Sequence, residues 1–200
     1  MPDHARRIQR VCVFCGSSHG ARPEYVEAAR GMGAALARNG VGLVYGGGKV
    51  GLMGVIANAA LAAGGDCTGV IPRVLATKEL AHEGLSDLRI VATMHERKAL
   101  MADLSDAFVA LPGGFGTIEE FCEVLTWAQL GLHQKPCALL NVLGYFDPLL
   151  ALFDHAVSER FLRPEYRSLV VSSCDPEEML MLLATFRSPR LQKWIDRDAT

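Results

Sequence analysis

The sequence predicts an α/β fold, a Rossmann-like doubly wound parallel sheet of about seven strands flanked by helices. Short apolar runs recur along the chain, at 11–15, 41–45, 67–71, 88–92, 106–111, 136–140 and 169–172. Longer amphipathic segments lie between most of these runs, at 23–38, 50–63, 94–104, 117–131, 146–158 and 176–186. Apolar runs without polar alternation are typical of strands buried on both faces, and their alternation with helical segments predicts a parallel sheet.

The composition is that of a globular domain. Half of the 200 residues are apolar and 21% are charged, so we expect one domain over 1–200 that ends in a polar tail at 187–200. The net charge of −2 gives no basic excess, so nucleic acid is not an expected partner. No apolar run approaches the roughly 18 residues of a membrane span, and residues 1–10 lack the apolar segment of a signal peptide. We therefore expect a cytoplasmic protein that does not bind membranes.

Cys12 and Cys15 form a Cys-x-x-Cys pair inside the first apolar run. Positions three apart on a strand point to opposite faces, so this pair is poorly placed to chelate a metal ion. The chain has six cysteines but no second Cys-x-x-Cys, and its histidines have no metal-binding spacing. The sequence therefore predicts no metal site, and the thiols are expected to be core side chains.

Ligands of doubly wound sheets bind outside the carboxyl ends of the strands, so the residues after each predicted strand are candidates for a site. Gly16-Ser17-Ser18 follows the first strand, where small residues let a ligand approach the backbone and an ordinary turn is the alternative. The second strand is followed by Gly46, Gly47 and Gly48, which give a formal G-x-G-x-x-G with Gly51.

A dinucleotide site also needs an acidic residue at the end of the next strand, to bind the ribose. That strand ends in Val70-Ile71-Pro72, which contains no acid. The glycine run therefore predicts a phosphate-binding or close-approach loop and disfavours NAD or FAD as a cofactor.

The fourth predicted strand is followed by two adjacent cations. Thr93-x-x-Glu96 fits a capping box that starts a helix, and Arg97 and Lys98 come directly after it. Two cations at the carboxyl edge of the sheet suit an anionic ligand, and a solvated basic pair is the alternative.

The loop after the fifth strand, within Pro112–Glu120, combines three glycines with the start of a helix. We expect Thr117 to be the N-cap of that helix, and its exposed N–H groups and positive end to bind an anion. Glu120 lies three residues after Thr117, so it fits either a capping box or a catalytic carboxylate. Glutamine would serve a capping box almost as well but supplies no carboxylate, which separates the two interpretations.

These segments resemble the LONELY GUY phosphoribohydrolases, a family often mislabelled lysine decarboxylase. The resemblance lies in four segments, Met94-His95-Glu96-Arg97-Lys98, Pro112–Glu120 as P-G-G-x-G-T-x-x-E, the glycines within 46–54, and Trp127–Gly131. It covers roughly residues 10–185, which is nearly the whole chain.

The resemblance implies a Rossmann-like homodimer, or a larger assembly of dimers, that hydrolyses the N-glycosidic bond of cytokinin riboside 5′-monophosphates. The products would be the free cytokinin base and ribose 5-phosphate, and neither a metal nor an organic cofactor would be required. Arg97 and Glu120 would be the catalytic residues. The nucleotide would be bound by Ser17, Gly46, Gly47, Glu79, Lys98, Gly113, Gly114, Phe115, Gly116 and Thr117.

Two alternatives to this activity stay open. Some members of the family cleave AMP, so the substrate could be AMP or another purine nucleotide. A nucleotide-binding protein without turnover is the other alternative, although such a protein has less need of a carboxylate beside a phosphate loop.

The chemistry fits the residues independently of the resemblance. Cleavage of a nucleoside bond develops positive charge on the sugar, as in glycoside hydrolysis, and a carboxylate such as Glu120 would stabilise it or activate water. Arg97 would assist the departing base or bind the phosphate. A pyridoxal-dependent decarboxylase fits poorly, because 200 residues leave no room for the usual cofactor and substrate domains around Lys49 or Lys98.

The predicted helix 117–131 is apolar around much of its circumference. Its apolar residues are Ile118, Phe121, Cys122, Val124, Leu125, Trp127, Ala128 and Leu130. One apolar stripe is enough to pack a helix on a sheet, so we expect this helix also to contact a second copy of the chain. Deep burial within a monomer is the alternative.

Overall fold

The computed structural model describes residues 7–76, 81–82 and 84–189. Its seven strands are β1 (Arg10–Phe14), β2 (Gly42–Tyr45), β3 (Cys67–Pro72), β4 (Asp87–Val91), β5 (Ala107–Ala110), β6 (Cys137–Leu140) and β7 (Val170–Ser173). All neighbouring strands are parallel, in the order β4-β3-β2-β1-β5-β6-β7. The predicted parallel α/β sheet is therefore confirmed, and each strand end lies within one residue of its prediction.

Helices connect the strands. They are α1 (Pro23–Arg38), α2 (Gly51–Ala62), α3 (Arg73–Leu75), α4 (Met94–Asp103), α5 (Phe115–Gln129), α6 (Asp147–Ser158), α7 (Pro164–Arg167) and α8 (Pro176–Thr185). Proline begins α1, α7 and α8, because its fixed φ and missing N–H suit the first position of a helix. The sequence did not predict the short helices α3 and α7. In the described part of the chain, none of the helices is long and apolar enough to cross a membrane.

The helices cover both faces of the sheet. On one face α1, α2 and α8 bury Met32, Leu36, Ile56 and Met179 against the strands. On the other face α4 and α5 bury side chains that include Met101 and Phe121. The inner strands β1, β2, β5 and β6 contribute buried side chains to both layers, as the continuous apolar runs predicted. The edge strand β4 carries the charged residues Asp87 and Arg89, and none of its residues is buried.

The Cys12 and Cys15 side chains confirm this two-sided arrangement. Cys15 belongs to the core layer under α1 and α2, and Cys12 belongs to the opposite layer. Burial raises the pKa of both thiols above the ordinary value, so they are neutral apolar groups at pH 7. The two thiols therefore do not face each other as a metal-binding pair would.

Strand order reverses beside β1. The chain builds β1 to β4 in one direction and then returns through α4 to place β5 on the other side of β1. A crevice opens at such a reversal, outside the carboxyl ends of the two strands, and is the usual ligand position in this architecture. The loops that follow β1 and β5 are therefore expected to line the site.

Helices α1 and α2 pack in close contact through Gly33. A Cβ atom at this position would overlap the carbonyl oxygen of Ile56 in α2. Gly31, two residues earlier on the same helix, has only an ordinary contact at 3.4 Å with the ring of Pro176. The two glycines therefore form a matched pair on α1, of which only Gly33 lies against α2.

A Gly33→Ala substitution should destabilise the protein by about 1–3 kcal/mol, because α2 must move to admit the methyl group. Gly31→Ala should be neutral or stabilise by up to about 1 kcal/mol, since alanine is the better helix former. Urea denaturation of both variants measures the difference in free energy of unfolding. Equal stability of the two variants would contradict the proposed close contact.

Candidate active site

Three loops meet at the carboxyl edge of the sheet, around the reversal of strand order. The Gly16 N–H after β1 donates to the carbonyl of Pro112 after β5, at 3.1 Å. The carbonyl of Gly16 accepts from the N–H of Leu52 at the start of α2, at 3.0 Å. The loops after β1, β2 and β5 are thus tied together by backbone hydrogen bonds, with Gly16 in the middle.

Two glycines allow these loops to pack without side chains between them. Gly51 has a φ of +60°, and a Cβ atom there would overlap the backbone of Ser17 and Ser18. A Cβ atom at Gly113 would overlap the side chain of Thr117. Glycine is required at both positions, which accounts for part of the glycine enrichment at this edge.

The loop after β2 packs against Arg97 and the chain segment 81–82. A side chain on Gly46 would overlap the Arg97 guanidinium. Gly47 has a φ of +73°, and its carbonyl accepts from the N–H of His82 at 2.9 Å. This glycine run therefore packs closely against protein groups, and its inner residues, Gly46 and Gly47, are buried beside the arginine.

Helix α5 begins two residues earlier than the sequence predicted. Its N-cap is Gly114, and Thr117 lies inside the first turn with 4% of its surface exposed. The prediction of Thr117 as N-cap was wrong, because its hydroxyl packs against Gly113 and glycine itself turns the chain into the helix. The capping-box interpretation of Glu120, which depended on that N-cap, is wrong for the same reason.

The first turn of α5 presents free backbone donors. The first helical hydrogen bond runs from the N–H of Ile118 to the carbonyl of Gly114, at 3.2 Å. The N–H groups of Phe115, Gly116 and Thr117 therefore precede the helical ladder, and no side chain caps this end. Such a turn, with the positive end of the helix dipole, favours an anion.

Helix α4 brings Arg97 to the site. The Thr93 side chain accepts from the N–H of Glu96 at 3.1 Å, which confirms the predicted cap, and the Glu96 carboxylate accepts from the N–H of Ala92 at 2.8 Å. The Nε of Arg97 donates to the carbonyl of Val70 in β3, at 3.1 Å. The cap therefore fixes the start of α4, and the hydrogen bond to β3 fixes the Arg97 guanidinium.

Arg97 and Glu120 form a buried ion pair between α4 and α5. Arg97 Nη1 lies 2.5 Å from Glu120 Oε1, and the two side chains are 10% and 11% exposed. Burial raises the pKa of Glu120 above the ordinary glutamate value, while the charge and hydrogen bond of Arg97 oppose that rise. The two residues predicted to be catalytic are thus in direct contact.

Lys98 lies beside this pair but contacts other carboxylates. Its ammonium is 2.6 Å from Glu119 and 3.0 Å from Glu123, and the hydrogen bond to Glu119 raises its pKa. These two partners could not be predicted from the sequence, because any of several acids on α5 could face α4. Lys98 therefore links α4 to α5 in this structure.

A cavity of about 330 Å³ opens beside the loop after β5. It is lined by Gly16, Ser17, Ser18, His19, Gly20, Tyr25, Leu52, Pro112, Gly113, Gly114 and Tyr145. Sequence reasoning missed Tyr25 and Tyr145. Tyr145 follows β6, so the rule that residues after each strand are candidates would have found it if applied to that strand.

Two predictions concern residues that the structure leaves undescribed. Glu79, expected to contact the substrate, lies outside the described residues, as do 77–80 as a whole and residue 83. Most of the predicted polar tail, 190–200, also lies outside them. Among the described residues there is no cluster of three or more His, Cys, Asp or Glu side chains that could hold a metal ion.

The site therefore combines a helix start whose uncapped N–H groups favour an anion with a buried carboxylate about one helical turn further on. Since the side chains of a helix lean toward its N-terminus, the Glu120 carboxylate projects back toward the free N–H groups. An anionic group bound there would place an adjacent sugar-sized group beside Glu120. The arrangement suits chemistry on a phosphorylated sugar that develops positive charge.

Comparison with known proteins finds close relatives with named activities. The chain is 54% identical over 180 residues to the cytokinin riboside 5′-monophosphate phosphoribohydrolase of Rhodococcoides fascians, covering 90% of this chain and 89% of the relative. It is 48% identical over 186 residues to the enzyme LOG7 of Arabidopsis thaliana, which bears the same activity name, covering 93% and 86%. A probable enzyme of this activity from Oryza sativa subsp. japonica, LOGL2, is 48% identical over 191 residues, covering 96% and 78%.

Solved structures share the fold at lower identity. A molybdenum cofactor binding protein from Rippkaea orientalis superimposes with a TM-score of 0.66 at 22% identity, covering 89% of this chain and 96% of that one. The molybdenum cofactor carrier protein of Chlamydomonas reinhardtii gives a TM-score of 0.65 at 21% identity, covering 88% and 95%. These structures support the Rossmann-like architecture.

The family described as possible lysine decarboxylases matches residues 53–183, which include the Arg97 and Glu120 segments. The relatives match across about nine-tenths of the chain at 48–54% identity. With a seven-stranded parallel sheet, a glycine-rich helix start and a buried Arg–Glu pair, the chain belongs to the LOG family of cytokinin riboside 5′-monophosphate phosphoribohydrolases.

Proposed function

We propose that this protein hydrolyses the N-glycosidic bond of cytokinin riboside 5′-monophosphates, releasing the free base and ribose 5-phosphate. The observation that carries the proposal is the buried Arg97–Glu120 pair, one helical turn from the free N–H groups of α5. Relatives at 48–54% identity bear the name of this activity.

The start of α5 would bind the 5′-phosphate. The N–H groups of Phe115, Gly116 and Thr117, with Gly113 and Gly114 before them, surround the positive end of the helix. Binding energy from this phosphate, which does not react, would be used to orient the sugar next to Glu120. Ser17 lines the neighbouring cavity and would contact the same nucleotide.

Glu120 would act on the sugar as the bond breaks. The bond between the anomeric carbon and the base nitrogen breaks with its electron pair passing to the base, and the sugar becomes cationic. The Glu120 carboxylate would stabilise this charge and orient the water whose oxygen bonds to the anomeric carbon. The water gives one proton to the base, so that the products are the neutral base and ribose 5-phosphate.

Arg97 would keep Glu120 ionised in its buried position. Its Nε donates to Val70, its Nη1 donates to Glu120, and its Nη2 lies against Gly46. Two of the three guanidinium nitrogens are thus hydrogen-bonded to protein groups, which supports a role beside the carboxylate. Lys98 would add positive charge to the same region, and Glu79 remains a proposed contact to the nucleotide.

Base release measured by chromatography tests the substrate. Purified protein is incubated with N6-isopentenyladenosine monophosphate and, separately, with AMP. Faster release of isopentenyladenine than of adenine is expected. Comparable rates would indicate a general purine nucleotide hydrolase, and no base from either nucleotide would overturn the proposal in favour of a binding protein.

The Glu120→Gln substitution should lower kcat by about 10²–10⁴-fold, because the amide cannot stabilise the sugar cation. The amide oxygen can still accept from Arg97, so the circular dichroism spectrum should be unchanged. Glu119→Gln is the matched control, since Glu119 is the adjacent residue with a half-exposed side chain that faces Lys98. Wild-type turnover by the Glu120 variant would show that this carboxylate is dispensable.

The pH dependence of kcat/KM should report the raised pKa of Glu120. The carboxylate is the active form, so activity should be lost as pH falls, with its acid limb above the ordinary glutamate value of about 4.3. The negative charge of Glu119 contributes to the raised pKa, so Glu119→Gln should move the limb to lower pH. Wild type and Glu119→Gln are measured with the same substrate, so ionisation of the substrate phosphate affects both pH profiles equally. An acid limb that stays in place or moves to higher pH in Glu119→Gln would contradict the assignment of this limb to Glu120.

We further propose that the protein is a homodimer that uses the outer face of α5. Phe115 is 94% exposed and Leu130 is 67% exposed, at the two ends of this helix. Apolar side chains exposed along one helix are typical of a surface that another chain covers. Both lie on the side of the sheet that carries the Arg97–Glu120 pair.

Analytical ultracentrifugation should therefore show a dimer. Leu130→Glu should shift the population to monomer, because a charge would be buried in the interface. Met181→Glu is the matched control, since Met181 on α8 is 62% exposed but lies on the opposite face of the sheet. A monomeric wild-type protein, or a dimer that survives Leu130→Glu, would exclude this interface.

We also propose a cytoplasmic location. Cys12, Cys15, Cys67 and Cys137 are buried as free thiols in the core. Free core thiols are usual in proteins of reducing compartments.

A further inference from the structure

The loop between β6 and α6 is a constrained segment that projects a tyrosine onto the glycine loop. Leu143 has a φ of +53° and Gly144 a φ of +71°, so two consecutive residues adopt the left-handed conformation. Leucine rarely adopts this conformation, and it persists only where surrounding contacts impose it. The residue that follows is Tyr145.

Side-chain hydrogen bonds impose this conformation. Asn141 donates from Nδ2 to the Asp147 carboxylate at 2.7 Å, and its Oδ1 accepts from the N–H of Phe146 at 2.7 Å. A Cβ atom on Gly144 would overlap the same Asp147 carboxylate. The loop is thus closed on itself across its base, which fixes where Tyr145 leaves it.

The Tyr145 ring is held on both sides. It packs edge-to-face on Phe146, with ring centroids 5.0 Å apart, and on Tyr25 of α1, at 5.7 Å. Phe146 is 2% exposed and belongs to the core. Tyr145 itself is 38% exposed, so these two ring contacts and the hydrogen bond of its hydroxyl are what hold the side chain in place.

The Tyr145 hydroxyl donates to the carbonyl of Gly113 at 2.6 Å. In a trans peptide the carbonyl of one residue and the N–H of the next point in opposite directions. This hydrogen bond therefore fixes the plane of the Gly113–Gly114 peptide, and with it the direction of the Gly114 N–H at the start of α5. Glycine has no Cβ to restrict that plane by itself.

We propose that Tyr145 is a positioning residue for the phosphate-binding turn of α5, and this inference rests on the proposed function of that turn. The hydroxyl has one proton, which the Gly113 carbonyl accepts. A phosphate oxygen needs a donor, so the hydroxyl acts on the phosphate through the backbone. Tyr145 supplies no group to the bond that breaks.

The Tyr145→Phe substitution removes the hydroxyl and keeps the ring. The Kd for ribose 5-phosphate, measured by calorimetry, and the KM for the nucleotide should both rise about tenfold, the usual effect of one lost hydrogen bond. The kcat should change less than about threefold. Inhibition by adenosine, which has no phosphate, should be unchanged.

Tyr25→Phe is the matched control. Tyr25 lines the same cavity and packs on the Tyr145 ring, but its hydroxyl makes no hydrogen bond among the described residues. This variant should bind ribose 5-phosphate as the wild type does. Equal weakening by both variants would overturn the inference, because it would point to the cavity wall in general.

Three further results would also overturn it. They are unchanged phosphate binding in Tyr145→Phe, a loss of kcat without a change in Kd, and equal weakening of adenosine and ribose 5-phosphate. The proposed function fails separately, if wild-type protein binds ribose 5-phosphate but releases no base. In that case weaker binding by Tyr145→Phe still supports the inference. A wild-type protein that releases base but does not bind ribose 5-phosphate would overturn the inference and leave the proposed function standing.

Discussion

The ion pair between Arg97 and Glu120 is the interaction on which the proposed chemistry depends. Burial favours the neutral form of the Glu120 carboxyl, the Arg97 charge favours the ionised form, and a neutral acid could not stabilise a sugar cation. Removing either partner entirely from such a buried pair costs about 3–5 kcal/mol, since the other charge is left uncompensated. The same ion pair therefore stabilises the contact between α4 and α5 and favours the ionised form of Glu120 that the reaction requires.

The order of the strands explains why these two side chains meet. Helix α4 leaves β4 at the edge of the sheet and returns across the sheet to β5, so its first turn passes over β3 and Arg97 bonds to Val70. Helix α5 then starts from β5, beside the reversal of strand order. Residues 23 positions apart in sequence are thus joined at the edge where ligands bind in this architecture.

Much of this arrangement could be predicted from the sequence. The apolar runs located each strand to within one residue, and the motifs at Arg97 and Pro112–Glu120 identified the segments that form the site. The start of α5 was predicted two residues late, because Thr117 with Glu120 three residues later resembles a capping box. Backbone turns made by glycine leave no such side-chain pattern.

Partners across the fold were harder to predict. That Lys98 pairs with Glu119 and Glu123 depends on how α4 and α5 rotate about their axes, which no local pattern determines. Tyr145 was missed because its hydroxyl reaches Gly113 from 32 residues away, through a loop with left-handed residues. Contacts of this kind follow from tertiary packing. In the sequence each is represented only by single, separate residues, which form no recognisable motif.

A double-mutant cycle on Arg97 and Glu120 tests the central claim most directly. Arg97→Gln, Glu120→Gln and the double variant are compared by kcat/KM for N6-isopentenyladenosine monophosphate. If the two side chains work as one unit, the double variant should lose about as much activity as the more impaired single variant. Losses that multiply in the double variant would show that Arg97 and Glu120 act independently, and would contradict the account of a pair whose arginine serves the carboxylate.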